Sequence, residues 1–234
     1  MLKTLLLVSV LIAFQADASN AQNFSLGIKG GGSLIRMDFE RPFYIYNQSK
    51  TPAEYKTAYG YTFGLSATYK FSRLISLETD MLYELKGTKH GYEQASLSGY
   101  NPTKITYIYN LNYVAIPVLA KIFLPVESPL KPHLALGTSF NFLLNSNMHY
   151  TLERDPRLNY TMEYIPSYYD LNSKTNSFDF GLIAGLGADY NLASGTISLE
   201  ARYELGVANL DKGLGTGPVN NKTFSVLLGY SIRL

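Results

Sequence analysis

Hydrophobic and polar residues alternate along most of the chain, as in the stretch FSVLLGYSIRL at Phe224–Leu234. Every second position from Phe224 is apolar there, and the positions between are small or polar except at Leu227. Successive side chains of a β-strand point to opposite faces, so this period of two predicts a strand with one apolar face. About eight such segments follow one another. They lie near residues 24–35, 59–71, 75–89, 107–124, 131–144, 177–190, 196–209 and 224–234.

The connections between these segments alternate in length. SR (Ser72, Arg73), PVESP (Pro125–Pro129) and LASG (Leu192–Gly195) are short, whereas 36–58, 90–105, 145–176 and 209–222 are long. Short turns at one end and long loops at the other are typical of barrels in the outer membrane. The pattern therefore favours an all-β fold: a closed antiparallel transmembrane β-barrel of about eight strands, with short periplasmic turns and long extracellular loops.

A soluble sandwich or lipocalin-like barrel, with its apolar faces inward, is the competing interpretation. The second face of the segment at 177–190 consists largely of glycine and aspartate. Such a face suits a narrow, crowded interior better than an open surface. The apolar faces are wide and tipped with tyrosine, as the interfacial girdles of membrane barrels require. A closed barrel also leaves no unpaired strand edge in the bilayer, since the last strand pairs with the first.

Residues 1–21 have the pattern of a secretory signal peptide. Lys3 precedes the apolar run TLLLVSVLIAF, which is too short for a spanning helix. The small-x-Ala motifs ADA and SNA follow, and we expect cleavage after Ala21, which leaves Gln22 first. The junction has no cysteine for a lipid anchor, and an uncleaved anchor helix is the alternative. The expected organisation is a signal peptide at 1–21 and one barrel domain at 22–234, exported to the bacterial outer membrane.

Composition agrees with this interpretation. The chain has 234 residues, of which 16% are charged, below the roughly 25% usual for soluble domains. The net charge of +2 is too small to indicate a nucleic-acid partner. There is no cysteine, which excludes a disulfide framework and a thiolate metal site.

Four stretches distributed over the barrel region form a recognisable set. They are LGIKGGGSL (26–34), LNYVAIPVLAKI (111–122), FDFGLIAGLGADY (178–190) and LEARYELGVANL (199–210). Together they resemble the porin family (PorT family) of small outer-membrane β-barrels common in Bacteroidetes. The resemblance implies the same fold and membrane, and insertion by the barrel-assembly machinery through the C-terminal strand. It says little about activity.

The chain departs from that family in two places. Ala115 stands where the family signature has an acid, so an interior charge is missing. The assembly signals of such barrels often end on phenylalanine, whereas this chain ends on Leu234 and has Leu227 at the polar position. Gly229, Ile232 and Leu234 preserve the Gly-x-x-apolar-x-apolar pattern.

Charged side chains fall on the less apolar faces of the predicted strands. In a barrel of eight strands the interior is just wide enough for side chains to fill, and buried charges need partners. We therefore expect an occluded lumen with a salt-bridged charge network, and a charge-lined channel for small solutes is the alternative. The predicted lumen residues are Lys29, Lys70, Glu78, Asp80, Glu84, Lys86, Lys121, His133, Asp179, Asp189, Glu200, Arg202, Glu204 and Arg233.

Pro117 lies within a predicted strand. Proline cannot donate to a strand ladder and usually marks an edge or a bulge. Because a closed barrel has no edge, we predict a bulge at Ile116–Pro117.

No catalytic residue, metal site or cofactor is predicted. A Ser–His–acid hydrolase needs a histidine at its centre, and His90, His133 and His149 lie in no recognisable serine or acid motif. No His, Asp or Glu spacing typical of metal ligands appears either. A barrel hydrolase acting on lipid or peptide remains an alternative function.

The segment MHYTLERDPRLNYTMEYIPSYYDL, residues 148–171, is rich in tyrosine. Tyrosine supplies large, stiff contact area, so this segment is the candidate site for an unidentified extracellular ligand. The candidate residues are Tyr150, Tyr160, Tyr164, Tyr168 and Tyr169. The segment can also form a hairpin that extends the flanking strands, because YTMEY alternates. The function predicted is thus structural or surface-binding, in a monomer surrounded by outer-membrane lipid.

Overall fold

The computed structural model describes residues 23–39, 54–94, 103–153, 168–213 and 218–234. These residues form ten strands and one 3₁₀ turn, at Asn172–Lys174. The strands are β1 (Phe24–Phe39), β2 (Glu54–Lys56), β3 (Ala58–Lys70), β4 (Ile75–Gln94), β5 (Thr103–Phe123), β6 (Leu130–Glu153), β7 (Tyr168–Asp170), β8 (Phe178–Asn191), β9 (Thr196–Gly206) and β10 (Val219–Arg233). The signal peptide and its expected cleavage site at Ala21 and Gln22 lie outside the described residues.

Eight of these strands close into an antiparallel barrel. Its order is β1–β3–β4–β5–β6–β8–β9–β10, and β10 pairs with β1 from Ser25↔Arg233 to Phe39↔Val219. The short strands β2 and β7 pair with β4 and β6 respectively and lie outside this circuit. The predicted closed antiparallel barrel of about eight strands is confirmed. No helix among the described residues is long and apolar enough to cross a membrane.

Large apolar side chains cover the outside of the barrel wall. Ile28 in β1, Leu186 in β8 and Leu228 in β10 are each at least 60% exposed, while their sequence neighbours face inward. Monomeric soluble proteins rarely expose a continuous apolar surface of this extent. The arrangement matches the lipid-facing band of a membrane barrel, and it rules out the soluble interpretation in which the apolar faces point inward.

The two ends of the barrel differ as expected from the sequence. Short turns connect β3 to β4, β5 to β6 and β8 to β9, at residues 71–74, 124–129 and 192–195. At the other end β4, β5 and β6 run to 20, 21 and 24 residues. Crossing a bilayer takes only about 9–11 residues of a tilted strand, so these three strands project beyond it on the extracellular side. The connection between β4 and β5 is consequently shorter than the predicted 90–105.

The prediction of a bulge at Ile116–Pro117 is wrong, because the structure has its bulge elsewhere in β5 and β6. The β4–β5 pairing keeps one register on both sides of Pro117, so no extra residue is inserted there. The irregularity lies between Asn112 and Tyr113 in the β5–β6 pairing, where Leu144 is the additional residue. Proline removes one donor from a ladder without requiring an insertion, and the strand tolerates that loss.

Candidate functional site

A group of charged side chains fills the periplasmic half of the barrel interior. We call this group the basal network; it consists of Lys29, Glu78, Asp80, Lys121, His133, Asp189, Glu200 and Arg202. The members come from β1, β4, β5, β6, β8 and β9. All except the half-buried Asp189 are at most 6% exposed. Alternation along each strand points them inward, and closure of the barrel brings them together.

Arg202 lies at the centre of the basal network. Its guanidinium group is 2.7 Å from Asp80, 2.8 Å from Glu78 and 2.5 Å from Glu200. Arginine suits this position because its planar fork presents several donors in fixed directions. One side chain thus neutralises carboxylates from two strands, β4 and β9.

Two lysines complete the neutralisation of the same carboxylates. Lys29 forms a salt bridge with Glu78 and lies 3.6 Å from Asp80 and 3.4 Å from Glu200. Lys121 lies 2.6 Å from Glu78 and also forms a salt bridge with Glu200. Buried charges are tolerated only when they are paired in this way.

His133 lies between two carboxylates at the lower edge of the basal network. Its Nδ1 atom is 3.7 Å from Asp189 and its Nε2 atom is 3.4 Å from Glu200. Neither nitrogen forms a hydrogen bond within the described structure, so His133 has no serine partner there of the kind a hydrolase triad uses. The ring packs against Phe123, with centroids 5.1 Å apart.

His133, Asp189 and Glu200 also form a potential metal-ligand set, with donor atoms within 4.8 Å of one another. The sequence showed no ligand spacing because these residues lie on β6, β8 and β9, and the barrel alone brings them together. Glu200 is already paired with Lys121 and Arg202, so a divalent cation would have to compete with two resident positive charges.

A second polar cluster lies midway along the interior. Lys86 is 3.0 Å from both Glu84 and Glu204. Asn141 donates to Glu204 at 2.7 Å, and Asn221 donates to Asp179 at 3.1 Å. This midway cluster contains three carboxylates and one lysine, so amide donors contribute part of its stabilisation.

An apolar cluster lies in the extracellular part of the interior. We call it the outer cluster; it consists of Met37, Tyr109, Leu111, Tyr113, Leu171, Leu210 and Val219. Tyr113 also contacts the midway cluster, because the Lys86 ammonium lies 5.6 Å from its ring centroid. This cluster was not predicted from the sequence, although the segment LNYVAIPVLAKI is apolar at both alternating sets of positions and thus carried a signal for it.

Inward-facing glycines make room for the charged side chains. A Cβ atom on Gly187 would lie 2.7 Å from Glu200 Cγ and from His133 Nε2, and one on Gly181 would lie 2.6 Å from Glu204 Oε1. The glycine-rich face of β8 therefore fits the crowded interior that the sequence indicated.

Two residues of the predicted lumen list lie lower, at the periplasmic mouth. Arg233 is exposed there rather than buried in the charge network, so its assignment is corrected: it is the last residue of the final strand, beyond the enclosed interior. Lys70 is half-buried at the end of β3. Both side chains line a cavity of about 840 Å³ that opens at the short-turn end of the barrel.

The candidate loop residues stay untested. Tyr160 and Tyr164 lie outside the described residues, and only the backbones of Tyr150, Tyr168 and Tyr169 are described. β7 pairs with β6 from Asn147↔Asp170 to His149↔Tyr168, so the predicted extension of the hairpin is present. His149 is half-buried in this extension, and the side chain of His90 lies outside the described structure.

Comparison with protein families identifies the chain. Residues 15–212 match the family described as "Outer membrane protein beta-barrel domain". The chain belongs to this outer-membrane β-barrel family. Its location is therefore the outer membrane, as predicted, while the narrower resemblance to the porin family of Bacteroidetes stays a prediction. A search of curated proteins finds no match.

A search of solved structures lists several outer-membrane barrels that are similar to this chain at low identity. OprG from Pseudomonas aeruginosa is 14% identical, with 91% of this chain and 98% of that chain covered and a TM-score of 0.40. Neisserial surface protein A is 14% identical, with coverages of 89% and 97% and a TM-score of 0.41. The protease OmpT from Escherichia coli is 11% identical, with coverages of 90% and 95% and a TM-score of 0.36.

Proposed function

We propose that this protein is a non-conducting barrel that presents its elongated extracellular strands for binding at the cell surface. The observation that supports the proposal is the filling of the interior along its length. The basal network blocks the periplasmic half and the outer cluster blocks the extracellular half. An eight-stranded barrel has little room left once such side chains occupy it.

The extracellular strands supply the second part of the proposal. β4, β5 and β6 continue past the bilayer as one sheet, with pairings that reach Gln94↔Thr103 and Lys104↔Glu153. β2 and β7 add one short strand at each side of this extension. A rigid, paired sheet holds binding groups in fixed positions, which lowers the entropy that association costs.

Planar-bilayer recording of the purified protein tests the non-conducting part. We expect no steady conductance steps, whereas a general porin incorporated under the same conditions should give them. Reproducible open steps from the pure protein would instead support the small-solute channel. Heating on a denaturing gel checks each preparation, because a folded barrel migrates faster unheated than boiled.

Limited proteolysis of intact cells tests the surface part. Trypsin should cleave the β6–β7 connection, which contains Arg154 and Arg157, and should spare Arg73 in the β3–β4 turn. Permeabilised cells provide the control, because Arg73 then becomes accessible. Cleavage at Arg73 alone in intact cells would indicate that the short turns face outward, and it would contradict the proposal.

The proposal also covers partners and chemistry. We infer a monomer in contact with outer-membrane lipid, inserted through β10 by the assembly machinery, that binds an extracellular ligand and carries no hydrolase activity. Replacing His133, His90 and His149 singly by alanine should leave surface binding intact. Loss of a hydrolytic activity in one of these variants would favour the barrel hydrolase.

A further inference from the structure

The periplasmic mouth of the barrel carries an unbalanced set of charges. The cavity of about 840 Å³ is lined by four basic side chains, those of Lys70, Arg73, Lys131 and Arg233, and by one acidic side chain, that of Asp189. Among the described residues, none of the four cations takes part in a salt bridge of the kind that fills the basal network. Lys131 donates instead to the backbone oxygen of Val126, at 2.5 Å.

Like charges are crowded at this position. Arg233 and Lys121 repel Lys70, and Asp189 attracts it. Lys70 is also half-buried, so water screens this repulsion less than it does at an open surface. The side chains are therefore arranged around a space in which an anion would be stabilised by several charges at once.

The floor of the cavity offers further hydrogen-bond donors. A smaller pocket shares Lys70 and Asp189 with the mouth. Its lining includes the hydroxyl groups of Ser66, Ser198 and Ser231 together with the carboxylate of Glu78, which Lys29 and Lys121 neutralise. Hydroxyl, ammonium and guanidinium groups are the donors that proteins use to bind tetrahedral oxyanions.

We propose that the periplasmic mouth binds a phosphate group. The guanidinium forks of Arg73 and Arg233 match the geometry of phosphate oxygens, and two net negative charges complement an excess of three positive lining charges. The cavity is large enough for the phosphate to be part of a larger molecule. It opens at the short-turn end of the barrel, so the source is either a phospholipid headgroup or a soluble phosphate.

The first arm of the test measures binding of inorganic phosphate. Isothermal titration uses the full barrel in a phosphate-free detergent at constant ionic strength, and acetate serves as a carboxylate probe. The variant Lys70→Gln/Arg233→Gln should bind phosphate at least about tenfold more weakly than the wild type. The control Lys174→Gln/Lys212→Gln removes the same charge from exposed positions at the opposite end and should bind as the wild type does.

The second arm identifies the source of the phosphate. If the headgroup is the ligand, native mass spectrometry of the protein extracted from phosphatidylglycerol vesicles should show one retained lipid molecule. The variant Lys70→Gln/Arg233→Gln should not retain that lipid. Retention of lipid without binding of inorganic phosphate assigns the site to lipid. Binding of inorganic phosphate without lipid retention assigns it to a soluble compound, and either result supports the proposal.

Three results would overturn it. The first is that neither phosphate nor lipid binds to the wild-type protein. The second is that Lys70→Gln/Arg233→Gln and the control Lys174→Gln/Lys212→Gln lose the same amount of phosphate affinity. The third is that acetate binds as tightly as phosphate. If Lys70→Gln/Arg233→Gln fails the heat-migration test for folding, Arg73→Gln/Lys131→Gln replaces it, because both residues lie at or next to periplasmic turns.

Discussion

The basal network and the outer cluster fill the same barrel with opposite chemistry. In the basal network, three cations, four carboxylates and His133 from six strands hold one another at distances between 2.5 and 3.7 Å, apart from two still shorter pairs. In the outer cluster, apolar and tyrosine side chains from β1, β5, β10 and the loops pack together. Both occupy the barrel interior, but the first depends on pairing of charge and the second on close packing.

This difference has an energetic consequence. Removing one member of a buried charge network leaves its partners unpaired in a low-dielectric interior, whereas shortening an apolar side chain leaves only a cavity. A single substitution should therefore destabilise the charged half more than the apolar half. The predictions below test that ordering.

The largest effect is expected for Arg202→Met, which removes one of the two cations that Glu78, Asp80 and Glu200 share, the other being Lys29. The free energy of unfolding in detergent should fall by about 3–5 kcal/mol, as measured by urea titration. Arg73→Met, at the exposed β3–β4 turn, is the control and should change stability by less than about 0.5 kcal/mol. Equal stability of the two variants would mean that Arg202 is not paired as described.

Leu210→Ala tests the outer cluster. Leu210 is 1% exposed, and its truncation should cost about 3 kcal/mol through lost burial and a residual cavity. The same urea titration measures the effect, and Leu192→Ala, at an exposed turn, is the control. A loss larger than that of Arg202→Met would reverse the proposed ordering of the two halves.

Gly187→Ala tests how tightly the basal network is packed. The added methyl group would collide with Glu200 and His133, so stability should fall by about 1–3 kcal/mol. Gly32→Ala is the matched control, because a Cβ there meets nothing within 4 Å. If both variants unfold at the same urea concentration, the interior near Gly187 is looser than the structure indicates.

The smallest effect is expected from salt. Raising sodium chloride from about 0.1 to 1 M should change the free energy of unfolding by less than about 0.5 kcal/mol, since buried pairs are screened little. The change should be a slight gain, because salt relieves the repulsion around Lys70 at the mouth. A large loss in the same urea titrations would show that water and ions enter the basal network.

Several features of the fold were predictable from the sequence. Period-two alternation gave the number of wall strands and their outward faces, because membrane insertion requires a continuous apolar band. The glycines and aspartates of the segment FDFGLIAGLGADY indicated a crowded interior. The inward direction of Lys29, Glu78 and Arg202 followed from the same alternation. Side chains of a strand point to two faces in turn, so residues that alternate with lipid-facing ones must face the interior.

Partners across the barrel could not be predicted in this way. Arg202 meets Asp80 although 122 positions separate them in the chain, and His133 meets Asp189 and Glu200 from separate strands. Such contacts depend on the shear and closure of the barrel, which no local pattern records. Pro117 was misjudged for a related reason, because a strand can lose a donor and keep its register.

The amino-acid sequence by itself determined that this chain is a membrane barrel, which faces lie in lipid and which end carries the short turns. Alternation and turn length are local properties, and the bilayer imposes the same requirement on every strand. Only the tertiary structure decided that a charged network and an apolar cluster fill different parts of the interior, and that four basic side chains line the mouth. Those arrangements arise where distant strands meet, and closure of the barrel alone brings them into contact.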